Sequence, residues 1–147
     1  MKQYPRAKVI GVLQSGSRIL VEEFTGKHSK GVGAYYRPIG GSIEFGERST
    51  DALLREFEEE LQVTVEIKGY MGCMENIFAI NEQIGHEIIQ VYRVGFIEEK
   101  NYSKEKFEVL EGKHMSFANW VKIADFIVGD KILYPDSLIN KLKGEKL

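Results

Sequence analysis

Four of the five residues between 56 and 60 are glutamates, in the stretch REFEEEL. On a helix, Glu56 is three residues from Glu59 and four from Glu60, and each like-charge pair costs roughly 0.2–0.5 kcal/mol. Glu59 and Glu60 also stand in the last turn, where the helix dipole disfavours anions. Three carboxylates on one face could bind Mg²⁺ or Mn²⁺, hard ions that prefer oxygen ligands. The alternative is a solvated acidic face, the usual meaning of such a charge run.

The position of these glutamates around the helix favours the metal site. Apolar side chains recur at helical spacing beside them: Leu53, Leu54, Phe57 and Leu61. Glu56, Glu59 and Glu60 flank this stripe, whereas Glu58 points elsewhere. A solvated face would lie opposite the stripe and would interleave lysines, so the pattern breaks local rules in the way functional sites often do.

The start of this helix is also indicated by the sequence. Ser49 or Thr50 is suited to be the N-cap, and Asp51 suits the positive end of the helix dipole. Asp51 and Arg55 are four residues apart and could form an ion pair.

A glycine-rich turn, GGSIEFGE at residues 40–47, precedes the helix. Its backbone could offer a carbonyl to a metal ion or amides to a phosphate. The alternative is a tight turn without chemistry. A glycine turn followed by a carboxylate helix is more specific than either part alone.

The stretch from Gly41 to Val63 resembles the Nudix box, G-x5-E-x7-R-E-U-x-E-E-x-G-U, in which U is a bulky apolar residue. Eight of its nine specified positions are in register: Gly41, Glu47, Arg55, Glu56, Phe57, Glu59, Glu60 and Val63. The exception is Gln62, where the family has a glycine that accepts a left-handed conformation. Glutamine there costs about 1 kcal/mol but removes no ligand. Ile39 also stands where proline often precedes the two glycines.

This resemblance implies a fold and an activity. The expected fold is α/β, a Nudix-type α/β/α sandwich around a mixed β-sheet, in one domain spanning residues 1–147. The expected activity is hydrolysis of a pyrophosphate linkage in a nucleoside diphosphate derivative, with Mg²⁺ or Mn²⁺ as the cofactor. The expected partner is thus a small phosphorylated molecule of nucleotide type.

The resemblance also assigns roles at the metal site. Glu59 and Glu60 would be metal ligands, with the carbonyl of Gly40 as a third. Glu56 would be either a ligand or the general base that activates water, since members of the family differ.

Two further roles follow from the resemblance. Arg55 and Glu47 would form an ion pair that orients the catalytic carboxylates. Many members add an acid from a late loop, for which Glu108 and Glu111 are the candidates and Glu111 is favoured as a metal ligand.

Substrate contacts are indicated less directly. Tyr35, Tyr36 and Arg37 could stack on a base or reach a phosphate. The alternative is a strand in which the tyrosines alternate between core and surface. Tyr36, Arg37 and the backbone of Gly41 are the predicted substrate-binding residues.

The remaining sequence predicts the elements that position these residues. Strand-like alternation occurs in a hairpin, KVIGVL and RILVEEF, and in two long strands after the helix. A last strand is expected to run into a short helix at MSFANWVKIADF, and YPDSLINKLKGEKL is expected to form a closing helix. TGKHSKGVG and EKNYSKEKFEVLEGKH have the polar composition of loops, and AYYRPIGG that of a short strand broken at Pro38.

Composition excludes several classes of function. The 147 residues carry a net charge of −2, with a pI near 6.0, which does not favour a nucleic-acid polymer or an acidic membrane surface as partner. No apolar run approaches the roughly 20 residues of a membrane span. The single cysteine, Cys73, excludes an internal disulfide, fits a cytoplasmic location and is expected to lie in the core.

Two functions stay open at this stage. The first is a Mg²⁺-dependent pyrophosphohydrolase, and the second is a non-catalytic Nudix-like sensor that binds a nucleotide. The complete set of Glu56, Glu59 and Glu60 favours the enzyme, because binding alone does not need every carboxylate. The resemblance adds that the chain can form a homodimer, since dimers are common in the family.

Overall fold

The structure, a computed structural model, describes residues 3–144 apart from the side chain of His114. Along the described chain the regular elements follow in this order: β1 (Arg6–Ser15), β2 (Arg18–His28), β3 (Gly31–Ser42), α1 (Ser49–Leu61), β4 (Val65–Ile80), β5 (Gln83–Phe96), a 3₁₀ helix (Glu99–Ser103), β6 (Lys106–Glu111), β7 (His114–Lys122), α2 (Ile123–Ile127) and α3 (Ser137–Lys143). The last three residues of the predicted closing segment lie outside the described residues. Among the described residues, no helix is both long and apolar enough to cross a membrane.

The strands form a seven-stranded mixed sheet with the order β4-β5-β1-β3-β2-β7-β6. β1 is parallel to β5 and antiparallel to β3. β3 changes partner along its length, because residues 31–38 pair with β2 whereas residues 39–42 pair with β1. β3 therefore joins the two halves of the sheet, and it changes partner immediately before the two glycines of the box.

Each face of the sheet carries its own apolar core. One core packs against α1 and includes Val9, Leu20, Leu53, Phe57 and Phe107. The other packs against α2 and α3 and includes Ile10, Val21, Phe126, Leu138 and Leu142. Helices thus cover both faces of a mixed sheet, and the predicted α/β/α arrangement is confirmed.

Two segments with loop-like composition are strands. The ladder between β2 and β3 continues out to His28 and Gly31, through a polar stretch that is largely exposed and therefore shows little apolar alternation. β6 carries the alternation of a strand, with Phe107 and Val109 buried, although charged residues surround it. Both loop predictions are wrong because polar composition concealed a paired backbone.

Pro38 does not break β3, contrary to expectation. Its backbone is opposite Val21 in the ladder with β2, at the point where β3 changes partner. β3 continues through the two glycines to Ser42 as one strand.

Cys73 is exposed, so the prediction that it belongs to the core is wrong. β4 shifts its register against β5 between Tyr70 and Gly72. Beyond this irregularity Met74 faces the core and Cys73 faces outward. A bulge shifts the two-residue alternation of a strand, and nothing in the local pattern reveals it.

The start of α1 also differs from expectation. Arg48 has the extended N-cap conformation, and no side chain caps the helix there. The hydroxyl of Ser49 is instead hydrogen-bonded to the hydroxyl of Tyr92 at 2.6 Å. A capping serine was predicted from local preference, but a tertiary contact to β5 engages its oxygen.

Candidate functional site

An arginine fork connects α1 to the loop that precedes it. Arg55 donates from Nε to Glu47 Oε2 at 2.8 Å and from Nη2 to Glu47 Oε1 at 3.0 Å. The backbone N–H of Glu44 also donates to Glu47 Oε1, at 3.1 Å. These bonds, led by those from Arg55, lower the pKa of Glu47 to about 2. The loop is thereby fixed against the helix, and the expected pair of Arg55 and Glu47 is present.

The same guanidinium reaches two carboxylates of the box. Arg55 Nη1 donates to Glu56 Oε1 at 2.9 Å and to Glu59 Oε2 at 3.3 Å. Arg55 therefore pairs with these glutamates and Glu47 rather than with Asp51, the partner expected from helical spacing. The positively charged guanidinium of Arg55 therefore partly compensates the negative charges of the glutamates along α1.

Glu60 is the carboxylate that the rest of the protein leaves without compensation. Glu60 is 5% exposed, and its Oε2 is buried with no hydrogen-bond partner in the described part of the chain. Burial raises its pKa to about 9, with further upward contributions from the charges of Glu56, Glu22 and Glu111. A buried carboxyl with an orphaned oxygen is expensive, and it is a common mark of a missing ligand.

Two of these neighbours come from outside the helix. Glu111 ends β6, and by strand alternation it shares a face with Phe107 and Val109, which pack under α1. Glu108 points to the opposite face of β6 and is exposed. Of the two late acids considered from sequence, the structure therefore brings Glu111 towards the site.

Glu22 on β2 was missed by sequence reasoning. It is buried, and its only sequence signal was an acid at a position where the alternation of β2 predicts an inward side chain. That signal is weak, because Glu22 and Glu23 are adjacent and one of them must face inward in any register.

The two glycines of the box allow a close approach of backbone and carboxylate. A Cβ on Gly41 would lie 2.5 Å from the carboxyl carbon of Glu56, and one on Gly40 would lie 2.0 Å from the carbonyl oxygen of Val9. Gly41 therefore gives Glu56 room beside β3, while Gly40 lets β3 pack against β1. Gly40 and Gly41 thus lie where the carboxylates of α1 meet the sheet.

We expect Gly41→Ala to lower kcat by about 10- to 100-fold without unfolding the protein, because the added methyl group displaces the end of a flexible side chain. Steady-state kinetics and thermal unfolding measure the two effects. Gly69→Ala is the matched control, since its Cβ would have its nearest neighbour at 3.8 Å. Full activity of Gly41→Ala would show that the position of Glu56 is not critical.

The carboxylate cluster has the donor atoms for a divalent cation, although its side chains are not arranged as a complete ligand set. Within the described part of the chain, no three His, Cys, Asp or Glu side chains form a complete ligand set. Arg55 holds Glu56 and Glu59, and Glu59 is 60% exposed. Glu56, Glu59 and Glu60 would hold such a cation, and the orphaned oxygen of Glu60 would be available to it. The all-oxygen donor set suits Mg²⁺ or Mn²⁺.

A groove adjoins the carboxylates where the two halves of the sheet separate. Its polar lining includes Lys8, Arg37, Asn76 and Glu87, and Gly41 lines it next to Glu56. Lys8 donates to Ser42 Oγ at 3.3 Å, and its pKa is lowered chiefly by burial. Positive groups therefore stand beside the carboxylates, as a phosphorylated ligand requires.

The groove continues between aromatic side chains. His28, Tyr35, Phe78 and Tyr134 line this extension, and Arg37 lines both parts. The hydroxyl of Tyr134 is 2.7 Å from His28 Nδ1, which fixes two of these rings relative to each other. Flat apolar walls beside a charged end suit a ligand with both phosphate and ring components.

Tyr36 lies outside this groove, unlike Tyr35 and Arg37. It is 7% exposed, its ring contacts Phe126, and its hydroxyl donates to Glu23 at 2.9 Å. Neighbouring strand residues face opposite sides, so Tyr36 belongs to the core beneath α2. This position agrees with the alternative interpretation of the sequence, a strand whose side chains alternate between core and surface.

Comparison with known proteins gives a consistent classification. A family model described as "NUDIX domain" matches residues 3–138. No curated protein matches the chain.

Solved structures share the fold at low sequence identity. A MutT NUDIX hydrolase from Burkholderia pseudomallei is 20% identical with a TM-score of 0.69, over 97% of this chain and 100% of that one. A MutT protein from Methanosarcina mazei Go1 is 16% identical with a TM-score of 0.64, over 97% and 94%. A UDP-X diphosphatase is 14% identical with a TM-score of 0.60, over 97% of this chain but 62% of its own.

Proposed function

Because the chain belongs to the NUDIX hydrolase family, we propose that it cleaves a pyrophosphate linkage in a nucleoside diphosphate derivative, with Mg²⁺ or Mn²⁺ as cofactor. The observation that carries this proposal is the buried carboxylate of Glu60, whose Oε2 has no hydrogen-bond partner among the described residues. This oxygen lies in the carboxylate cluster next to a groove that Lys8 and Arg37 help to line. These carboxylates would hold a divalent cation, which would compensate the charge of the substrate phosphates.

The chemistry of the substrate explains why the carboxylates are needed. A pyrophosphate carries concentrated negative charge, which repels hydroxide and shields phosphorus from attack. When bound, divalent cations neutralise the phosphate oxygens and lower the pKa of a water molecule. Glu59, Glu60 and the carbonyl of Gly40 would hold the cation, together with Glu111 from the sheet.

Glu56 has the position for proton transfer or for ligation. Burial raises its pKa, whereas the hydrogen bond from Arg55 opposes that rise. A carboxylate with a raised pKa is a better proton acceptor near neutral pH. Arg55 and Glu47 would set the orientation of Glu56 and Glu59 without contacting substrate.

The lining of the groove supports a proposal for the substrate contacts. Arg37 and the backbone of Gly41 would bind phosphate, and the aromatic extension around Tyr35 would accept the ring of a base. Tyr36 has no part in this proposal because its ring is buried in the opposite core.

The experiment is a turnover assay with a panel of nucleotides, with and without Mg²⁺, in which products are separated by chromatography. The panel includes normal and oxidised nucleoside triphosphates, dinucleoside polyphosphates, ADP-ribose and nucleotide sugars. The UDP derivatives are included because one structure of similar fold is described as a UDP-X diphosphatase. We expect metal-dependent cleavage of at least one compound at the diphosphate. Tight binding of one compound with no cleavage of any would instead establish a nucleotide sensor.

The homodimer and the cytoplasmic location stay predictions. Size-exclusion chromatography with light scattering measures the first, and fractionation of cells measures the second.

A further inference from the structure

Glu22 is a buried acid that lies outside the box and has no role assigned above. It is 5% exposed, and it follows Leu20 by two residues on β2, on the face that packs against α1. Its ladder partners are Arg37 on β3 and Ala118 on β7. Glu22 therefore approaches the carboxylate cluster from the sheet, whereas the acids of the box approach it from the helix.

The surroundings of Glu22 compensate its charge only in part. Its one hydrogen bond from a side chain among the described contacts comes from Ser116 Oγ, which donates to Oε2 at 2.5 Å. Arg37 is adjacent in the ladder, but its guanidinium lies over the ring of Phe24, 5.7 Å from the centroid. A buried carboxylate with one hydroxyl donor is poorly compensated for the loss of water.

The charges around Glu22 are those of the candidate cation site. Burial is the largest cause of its raised pKa and the charge of Glu111 adds to the rise, whereas the hydrogen bond from Ser116 and the charge of Arg37 oppose it. The charge of Glu22 in turn raises the pKa of Glu60, whose Oε2 is the orphaned oxygen. The buried Glu22 from the sheet thus lies within electrostatic range of the buried Glu60 from the helix, and Glu111 at the exposed end of β6 acts on both.

A structural role alone does not explain an acid at this position. If Glu22 only accepted the bond from Ser116, an apolar pair of similar size would be as stable or more stable. Mutual repulsion in a buried space is relieved when a divalent cation is shared by the carboxylates.

We propose that Glu22 is a further carboxylate of the cation site, reaching from β2 towards Glu60. This inference rests on the proposed function, because it presumes that the cluster binds a divalent cation. It adds a second carboxylate from the sheet, besides Glu111, to those that α1 would provide. Ser116 would then act as a positioning residue that fixes the carboxylate of Glu22.

The test measures Mn²⁺ binding without substrate, by isothermal calorimetry and by the electron paramagnetic resonance signal of free Mn²⁺. We expect Glu22→Gln to weaken Mn²⁺ binding by at least about 10-fold, a loss typical for groups that support a metal site. Glu108→Gln is the matched control, since Glu108 is exposed on the opposite face of β6. The control should bind Mn²⁺ with wild-type affinity.

A second variant keeps the test decisive if Glu22→Gln does not fold. Glu22→Asp retains the charge but withdraws the carboxylate by one methylene group, and it too should weaken Mn²⁺ binding. Unchanged Mn²⁺ affinity in a folded Glu22 variant would overturn this inference alone. Absence of Mn²⁺ binding by the wild-type protein would instead overturn the cation site, and with it the inference.

Discussion

Glu60→Gln is expected to lower metal-dependent turnover by about 10²- to 10³-fold, the loss typical when one charge-stabilising group is removed from a preorganised site. The substitution preserves the shape of the side chain but removes the charge that would hold the cation. It should also abolish the increase in melting temperature that Mg²⁺ gives the wild-type protein, since ligand binding stabilises only the state that binds. Turnover and thermal unfolding with and without Mg²⁺ measure these effects.

The metal-free protein offers a second readout for Glu60. Its pKa is about 9 in the folded protein against an ordinary value of 4.5. The folded state therefore binds more protons than the unfolded state between these values, and its stability falls as pH rises through this window. In EDTA we expect the melting temperature of Glu60→Gln to fall less between pH 5 and 9 than that of the wild type.

Glu58→Gln is the matched control for both measurements. Glu58 is on the same helix but exposed, and it lies off the carboxylate face. It should retain wild-type turnover and Mg²⁺ response. If Glu60→Gln kept its activity and its response to Mg²⁺, Glu60 would not be a ligand and the proposed function would lose its main support.

Arg55→Lys is expected to have the second-largest effect, a fall in kcat/KM of about 10- to 100-fold. Arg55 uses three nitrogens to hold Glu47, Glu56 and Glu59 at 2.8 to 3.3 Å. A lysine ammonium retains the charge but cannot form the planar fork that joins the loop to the helix. Glu56 and Glu59 would consequently lose their common orientation.

The loss of stability at low pH gives an independent measure of the pairing between Arg55 and Glu47. The pKa of Glu47 is about 2, so the stabilisation from its pairing is present above its ordinary value and is lost as pH falls towards 2. In Arg55→Lys the pKa of Glu47 should move back towards its ordinary value. Acid unfolding followed by circular dichroism should then begin at higher pH than in the wild type.

Arg48→Lys controls for a general loss of guanidinium near the helix start, because Arg48 is exposed at the N-cap of α1. Its activity and its acid unfolding should match those of the wild type. Wild-type kcat/KM in Arg55→Lys would show that the fork is structural and does not orient the carboxylates.

The sequence predicts the helix of the site well because helical spacing is set locally. Leu53, Phe57 and Leu61 define the buried stripe from their spacing alone, and the flanking position of Glu60 follows from it. Gln62 has a φ of 53°, the left-handed conformation that the box pattern requires where glycine is usual. Such features depend on neighbours within a few residues, so they can be inferred before the fold is known.

The sheet contributes what local patterns cannot supply. Glu22 is buried where β2 lies between β3 and β7, and those neighbours are distant in sequence. Cys73 is exposed because β4 slips against β5, and Ser49 does not cap its helix because Tyr92 engages it. Each difference arises from a contact between elements, so only the assembled fold determines it.

The parallel pairing of β1 with β5 has a consequence for synthesis of the protein. Arg6 is opposite Glu87 in this ladder, about eighty residues later in the chain. During translation, β1 can join β2, β3 and α1 early, but its other edge must wait until residues up to Phe96 have emerged from the ribosome. Closing so distant a contact is slow compared with forming hairpins. The wall of the groove formed by β1, β4 and β5 is therefore completed only after α1 has been synthesised, and the nascent chain exposes an unpaired β1 edge until then.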